Sequence, residues 1–224
     1  MQQQTILSGF TDPVHDAGDT FRIVLQAMSR PGLVLPLAGL AQTPAELNSA
    51  AAAVCLSLFD NDTSVSLEGF GPDFATGNVN DVASWLRFHC GCPIVTSSEH
   101  STKKEREGIV FAVFRNGMEL PDLAGFPVGT ESYPDRSATL VIQVASLANA
   151  ANAGCEGTDL LRLEGPGIKG ERRLHVSGLA RSFWEAFARN RVLYPMGFDV
   201  VLCAPQGIAC LPRTVTARGP LACM

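Results

Sequence analysis

The segment Ser137–Ser146, SATLVIQVAS, is the most strand-like stretch of the chain, and the predicted fold extends outward from it. β-Branched and other apolar residues dominate it, as is typical of strands. Residues 93–96 and 109–115 are predicted to be buried strands, the second ending at Asn116-Gly117, a sequence typical of a hairpin turn. Strands and helical patterns interleave along the chain, which predicts an α/β fold with a mixed sheet.

Further strands are predicted from shorter apolar or alternating runs. They cover residues 33–37 with Pro36 at a sheet edge, residues 64–69 after a turn at 60–63, residues 160–163 before a Gly-Pro-Gly turn, and a hairpin over 200–212. The polar run of residues 99–108, EHSTKKEREG, is predicted to be a solvated connection.

Four helices are predicted between these strands. Residues 19–32, DTFRIVLQAMSRPG, form an amphipathic pattern that ends at Pro31-Gly32. One face of this pattern carries Phe21, Val24, Leu25 and Met28. Thr43-Pro44-Ala45-Glu46 combines an N-cap, an N1 proline and a capping-box Glu, which predicts a helix as far as about Leu58. The other two helices are predicted over residues 81–88 and 179–192.

Length and composition favour a single domain over residues 1–224. Hydrophobic residues make up 46% of the 224, enough for one sizeable core, and no repeat or linker divides the sequence. The first residues lack the basic and apolar regions of a signal peptide, and the apolar run of residues 50–59 is too short to span a bilayer. The seven scattered cysteines are expected to be reduced thiols in a cytoplasmic protein.

The charged residues argue against a broad nucleic-acid-binding face and point to local anion binding. The net charge is −5 and the pI is about 5.3. Of the 17 cationic residues, 14 are Arg and three are Lys. Arg forms paired hydrogen bonds to carboxylates and phosphates and tolerates partial burial, although a GC-rich genome would give the same excess.

The segment Leu86–Pro93, LRFHCGCP, gathers one His and two Cys, as some metal sites do. Structural zinc sites usually pair C-x₂₋₄-C with a second pair of ligands, whereas the spacing here is C-x-C and the other Cys and His residues are isolated. A helix C-terminus, with Arg87 and His89 near its negative end and the thiols packed inward, is therefore predicted instead of a metal site. Hydrolase and phosphate-loop motifs are also absent from the sequence.

Seven segments, taken in order, change this interpretation. They are GFTDPVHDAGDTFRIVLQAMSRPG (9–32), DNDT (60–63), WLRFHCGCP (85–93), GTESYPDRSATLVIQV (129–144), LEGPGI (163–168), YPMGFDVVL (194–202) and LPRTV (211–215). In this order and at these separations, they resemble the PhnH family, the H subunits of the carbon–phosphorus lyase system. The resemblance extends from about Phe10 to Thr214, nearly the whole chain.

The resemblance implies a role in bacterial phosphonate catabolism. With G, I and L subunits, a member of this family is expected to support the displacement of adenine from ATP by methylphosphonate, which yields α-D-ribose 1-methylphosphonate 5-triphosphate. ATP and the alkylphosphonate are thus substrates of the whole complex. The expected partners are other carbon–phosphorus lyase subunits, chiefly the I subunit, with G and J in a core complex. The isolated chain is expected to be a homodimer.

The resemblance also implies a three-layer α/β domain similar to the large domain of PLP-dependent transferases, but without a PLP site. The lysines agree with the second point, because PLP needs a lysine for its Schiff base. Lys103 and Lys104 lie in the polar run, and Lys169 follows the Gly-Pro-Gly turn. Neither PLP nor a metal is therefore expected as a cofactor.

Five cationic residues inside the matching segments are candidate anion ligands: Arg22, Arg87, His89, Arg136 and Arg213. Guanidinium groups bind phosphate in bidentate fashion, so a polyanionic reactant is one possible ligand. The alternative is that Arg22 and Arg213 stabilise the fold or a subunit contact. The leading hypothesis is an accessory subunit that docks onto the I subunit, and no residue is assigned a catalytic role.

Overall fold

A computed structural model of the chain describes residues 6–70, 81–95, 106–149 and 159–221. Its α-helices are α1 (Pro13–Ser29), α2 (Ser49–Leu58), α3 (Val82–Cys90) and α4 (Arg181–Val192). Its strands are β1 (Leu35–Pro36), β2 (Val65–Glu68), β3 (Ile94–Val95), β4 (Phe111–Phe114), β5 (Thr139–Gln143), β6 (Ser146–Ala148), β7 (Asp159–Glu164), β8 (Arg172–Ser177), β9 (Asp199–Ala204), β10 (Gly207–Leu211) and β11 (Thr216–Leu221). Within these ranges no helix is both long and apolar enough to cross a membrane.

The central sheet has seven strands in the order β1-β10-β9-β5-β4-β2-β3. Strands β3, β2, β4, β5 and β9 run parallel to one another, whereas β10 and β1 are antiparallel to their neighbours. The mixed sheet of an α/β protein is therefore confirmed, as are the edge strand at Pro36 and the β9–β10 hairpin. The strongly strand-like segment of residues 137–146 forms β5, in the middle of this sheet. Leu140 of β5 pairs with Ala112 of β4 on one side and with Val200 of β9 on the other.

Both faces of this sheet are covered. On one face Val141 packs in a core with residues of α1, α2 and α3. On the other face Leu140 and Ile142 pack against α4 and a second, four-stranded antiparallel sheet in the order β11-β7-β8-β6. The sequence predicted only a short part of this second sheet, at residues 160–163. The strand predicted at residues 64–69 is present as β2. Because it is covered on both sides, all four of its residues are buried, including the polar ones of its alternating pattern.

Helix α2 begins later than the capping box predicted. Its N-cap is Asn48, whose side-chain oxygen accepts from the Ala51 N–H at 2.8 Å. The same residue is held by strands far away in sequence: its backbone N–H donates to the Gln143 side chain at 2.6 Å, and its side-chain amide donates to the Cys203 carbonyl at 3.0 Å. These contacts with β5 and β9 fix the first turn, so the proline at residue 44 lies in the preceding loop.

Two other local predictions are wrong. The Asn116-Gly117 turn does not close a hairpin, since β4 pairs in parallel with both of its neighbours. Helix α1 begins at Pro13, six residues before the predicted start, because Asp12 caps it and proline occupies the first turn. Its buried residues are Thr20, Val24 and Ala27, while Phe21 and Leu25 are exposed to solvent.

We expect Asn48→Ala to lower the free energy of unfolding by about 1–3 kcal/mol, because it removes a helix cap and leaves the Cys203 carbonyl without this donor. Urea denaturation followed by circular dichroism measures the change. Asn61→Ala is the matched control, since the Asn61 side chain donates only to exposed Asp62, at 3.4 Å. Equal effects of the two substitutions would show that the Asn48 contacts do not stabilise the fold.

Candidate functional site

Three segments that are distant in sequence meet at the guanidinium of Arg213. Its Nε and Nη2 donate to the two carboxylate oxygens of Asp199, at 3.2 and 2.5 Å. Nη2 also donates to the Ser137 hydroxyl, and Nη1 donates to the carbonyls of Pro134 at 2.7 Å and Pro195 at 3.5 Å. The segments that contain Tyr133–Ser137, Tyr194–Asp199 and Arg213 are thus joined at one point.

Arg213 has little capacity left for a ligand. Every nitrogen of the guanidinium donates to the protein, its side chain is only 14% exposed, and its backbone N–H also donates to Asp199 at 2.8 Å. A partly buried ion pair with this many hydrogen bonds is costly to disrupt. The geometry therefore favours a positioning role for Arg213, which is the structural alternative that the sequence left open.

A partly apolar surface lies beside this junction. Tyr133 and Tyr194 each precede a proline whose carbonyl accepts from Arg213, and their side chains are 52% and 56% exposed. The Arg136 guanidinium stacks on the Tyr133 ring at 4.2 Å, and that of Arg191 lies 5.3 Å from the Tyr194 ring centre. Together with exposed Val192 and Leu193, these residues form what is called below the two-tyrosine surface.

The turn that carries Tyr194 is anchored by the buried side chain of Asn190, in the last turn of α4. Its amide donates to the Phe198 carbonyl at 2.9 Å, and its oxygen accepts from the Phe198 N–H at 2.8 Å. Gly197 has a φ of 120°, and a Cβ there would lie only 2.7 Å from the Asn190 oxygen. The exposed residues between Asn190 and Gly197 are therefore presented on a rigid frame.

Arg87 and His89 lie together in the last turn of α3, as the sequence predicted, with Gly91 in the left-handed conformation that ends the helix. His89 and Trp85 each place a ring nitrogen 3.0 Å from the Leu7 carbonyl, so both hold the N-terminal segment against α3. Arg87 is exposed. His89 thus has a structural contact with the N-terminal segment.

The neighbouring thiols are not part of any group of three or more His, Cys, Asp and Glu side chains placed to hold an ion in the described ranges. Cys90 and Cys92 interact with each other, which lowers the pKa of Cys92 and raises that of Cys90. The positive charge of Arg87 lowers the Cys92 pKa further. Burial raises the pKa of Cys203, and all five described cysteines are free thiols.

The other two candidates lie apart from α3. Arg136 belongs to the Arg213 junction through its contact with Tyr133. Arg22 is on the exposed side of α1, where it pairs with Asp19 at 2.6 Å. The five candidates therefore occupy three places: the Arg213 junction, the end of α3 and the outside of α1.

Sequence reasoning missed a buried cation, Arg106, which belongs to the run predicted to be solvated. Most of that run lies outside the described residues, but Arg106 is 5% exposed. Its guanidinium lies 3.8 Å from the Glu68 carboxylate and 4.5 Å from the centre of the Phe126 ring, and it donates to the Asp122 carbonyl at 3.3 Å. No sequence signal distinguishes this arginine, because its neighbours in sequence are polar and its partners are remote.

Comparison with known proteins connects these segments to one family. A family model described as "Bacterial phosphonate metabolism protein (PhnH)" matches residues 8–218. The chain belongs to the PhnH family. The resemblance seen in the sequence is thereby confirmed, and all five candidate residues lie inside the matched range.

Two curated relatives carry names from the same system. The chain is 37% identical over 213 residues to "Alpha-D-ribose 1-methylphosphonate 5-triphosphate synthase subunit PhnH" of Rhizobium meliloti (strain 1021), covering 95% of this chain and 96% of that protein. It is 32% identical over 87 residues to "Putative C-P lyase subunit protein HtxG" of Stutzerimonas stutzeri, covering 39% and 40% of the two chains. Both names describe subunits of larger assemblies.

We expect Arg213→Ala to lower the free energy of unfolding by about 2–4 kcal/mol, because it leaves Asp199 without its partner and disconnects three segments. Arg136→Ala is the matched control: it removes one exposed guanidinium and is expected to cost less than about 1 kcal/mol. Urea unfolding of both variants provides the measurement. If Arg213→Ala were as stable as the parent protein, the junction would not be structural.

Proposed function

We propose that this chain is the H subunit of a carbon–phosphorus lyase synthase. In that assembly, G, I and L subunits together with this chain support the displacement of adenine from ATP by methylphosphonate, and the product is α-D-ribose 1-methylphosphonate 5-triphosphate. The support for this proposal is membership of the PhnH family and a relative whose name gives that synthase. The chain acts in the cytoplasm without PLP or a metal of its own.

Within the assembly, the role of the chain is accessory: it docks onto the I subunit, and G and J complete the core complex. The observation that carries this proposal is the two-tyrosine surface. Tyr and Arg are enriched among the residues that dominate the binding energy of protein interfaces. Here two Tyr–Arg pairs lie beside exposed Val192 and Leu193, on a frame fixed by Asn190 and Arg213. A rigid surface loses little entropy when it binds a partner.

A second candidate function is a direct contribution of cationic residues to a nucleotide- or phosphonate-binding site at the interface. The observation in its favour concerns Arg136 and Arg191, neither of which pairs with a carboxylate in the described part of the chain. Their charges lie on the docking surface and are available to an anion held there. Under this alternative, Arg136→Ala leaves assembly intact yet lowers adenine release.

The experiment that tests the proposed function is adenine release from ATP and methylphosphonate by reconstituted G, I and L subunits, with and without this chain. Loss of turnover on omission supports an obligate place in the synthase. Undiminished adenine release without this chain contradicts an obligate role in the synthase. Docking on the I subunit is then tested by measuring the binding affinity of the two chains.

We expect the double substitution Tyr133→Ala/Tyr194→Ala to weaken binding of the I subunit about 100-fold or more, since truncating a tyrosine that acts as an interface hot spot costs about 2 kcal/mol or more. Biolayer interferometry with the immobilised I subunit measures the change. Met118→Ala is the matched control, because Met118 is equally exposed but lies beyond the opposite end of the parallel strands, after β4. Unchanged affinity of the double variant would place the interface elsewhere.

We further propose that the isolated chain forms a homodimer through the outer face of α1. Exposed Val14, Phe21 and Leu25 lie on one face of this helix with Gly18 between them. A Cβ at Gly18 would meet only the Arg22 side chain, at 3.7 Å, so another helix is free to approach closely. An antiparallel α1 pair about a two-fold axis near Gly18 would bury this apolar face.

Charge also supports the antiparallel arrangement. Asp12 and Asp16 lie at the start of α1, and Arg30 follows its end. An antiparallel pair therefore brings acidic and basic ends together. We expect Phe21→Glu/Leu25→Glu to convert a dimer into a monomer of 23.8 kDa, as measured by light scattering. The Tyr133→Ala/Tyr194→Ala variant should remain dimeric, and a dimer that survives the α1 changes contradicts this contact.

A further inference from the structure

Three arginines lie side by side across the second sheet. The register pairs Arg218 of β11 with Arg162 of β7, and Arg162 with Arg173 of β8. Adjacent strands in a sheet are about 4.8 Å apart, so the three side chains start from neighbouring points along one line. None of the three belongs to the set of candidates that the sequence suggested.

All three point away from the core. Leu161, Leu163 and Leu174 are fully buried beneath the sheet, and side chains alternate between the two faces of a strand. Arg162 and Arg173 must therefore project from the opposite, outer face, and their side chains are 47% and 56% exposed. Arg218, which pairs with Arg162, is 68% exposed. These three residues are called the arginine row below.

The arginine row is only partly neutralised. One Glu171 oxygen lies 3.8 Å from Arg162 Nε and 3.5 Å from Arg173 Nε, and one Glu164 oxygen lies 3.4 Å from Arg218 Nη2. These distances exceed the 2.7–2.9 Å or so of strong charge-assisted bonds. Two carboxylates thus face three guanidiniums through single, long contacts.

Other arginines of this chain use more of their guanidinium donors on protein acceptors than the arginine row does. Arg213 uses every guanidinium nitrogen on protein acceptors, and Arg172, the neighbour of Arg173, turns Nη1 to the carbonyls of Arg30 and Pro31, at 2.7 Å each. Like charges placed directly opposite on adjacent strands destabilise a sheet. In the described ranges the side-chain hydrogen bonds and ion pairs of the arginine row go only to the two glutamates, so most of its donors are available to an anion.

We propose that the arginine row binds a linear polyphosphate. Each guanidinium offers a fork of donors that matches a phosphate group, and a chain of phosphates reaches adjacent guanidiniums at once. A single orthophosphate lacks that reach. Nucleoside triphosphates belong to the same chemical class. A link between this site and the triphosphate of ATP or of the synthase product rests on the function proposed above, whereas binding of inorganic triphosphate does not.

Isothermal titration of the full chain with inorganic triphosphate, and separately with orthophosphate, tests the inference. We expect saturable 1:1 binding of triphosphate that is stronger than that of orthophosphate and weakens with added salt. Arg162→Gln, at the centre of the row, should weaken triphosphate binding about tenfold or more, because hydrogen bonds between charged groups are the stronger kind. Arg22→Gln removes the same charge from exposed α1 and should change affinity less than about twofold.

Glu171→Gln distinguishes a binding site from an ordinary surface ion-pair network. It removes the carboxylate that competes for Arg162 and Arg173, so triphosphate binding should become severalfold stronger. No saturable triphosphate binding, or equal affinities for Arg162→Gln and Arg22→Gln, overturns the inference, as does weaker binding by Glu171→Gln in a folded variant. The titration needs no partner subunit, so its outcome is independent of the adenine-release assay.

Discussion

The hydrogen bonds of the Arg213 guanidinium connect three segments that are distant from one another in the sequence. They join the loop before β5, the first residue of β9 and the turn after α4. Because Thr139 of β5 pairs with Asp199 of β9, the same contacts fix the start of two central strands. Both tyrosines of the two-tyrosine surface are carried by segments that this guanidinium holds. The surface therefore depends on a partly buried ionic contact as well as on the end of α4.

The sequence predicted the elements whose local pattern and tertiary surroundings agree. Strands β4, β5 and β9 are buried on both faces and appear as apolar runs, while Asp81 and Gly91 mark the two ends of α3 with ordinary capping chemistry. Prediction failed where distant contacts prevail. The start of α2 is set by Gln143 and Cys203, not by the proline before it. The exposure of Phe21 and Leu25 follows from how α1 packs on α2, which no helical period shows.

The candidate site was predictable only at the level of residue type. The excess of arginine over lysine directed attention to guanidinium chemistry, yet the arginines have different environments in the structure. Arg106 is buried against Glu68 and Phe126, Arg213 ties loops together, and Arg162 stands exposed between two other arginines. Arg106 and Arg213 differ from Arg162 in being largely buried, and the arginine row exists because of the register between β11, β7 and β8. Neither burial nor register is encoded near these residues in the sequence, since the paired Arg162 and Arg218 lie 56 positions apart.

The second sheet links these surfaces to the same structural contact. Strand β11 begins at Thr216, just after Arg213, and the intervening Val215 is fully buried. The hydrogen bonds that hold Arg213 therefore also fix where β11 enters the sheet and, through register, where Arg218 stands relative to Arg162. A change at Arg213 disturbs the two-tyrosine surface and the arginine row together, so its effects on activity cannot be attributed to either. The side chains of Tyr133 and Arg162 are exposed and do not take part in the hydrogen bonds of the junction. Each can therefore be changed while the fold is retained, and substitutions at these residues test the two surfaces separately.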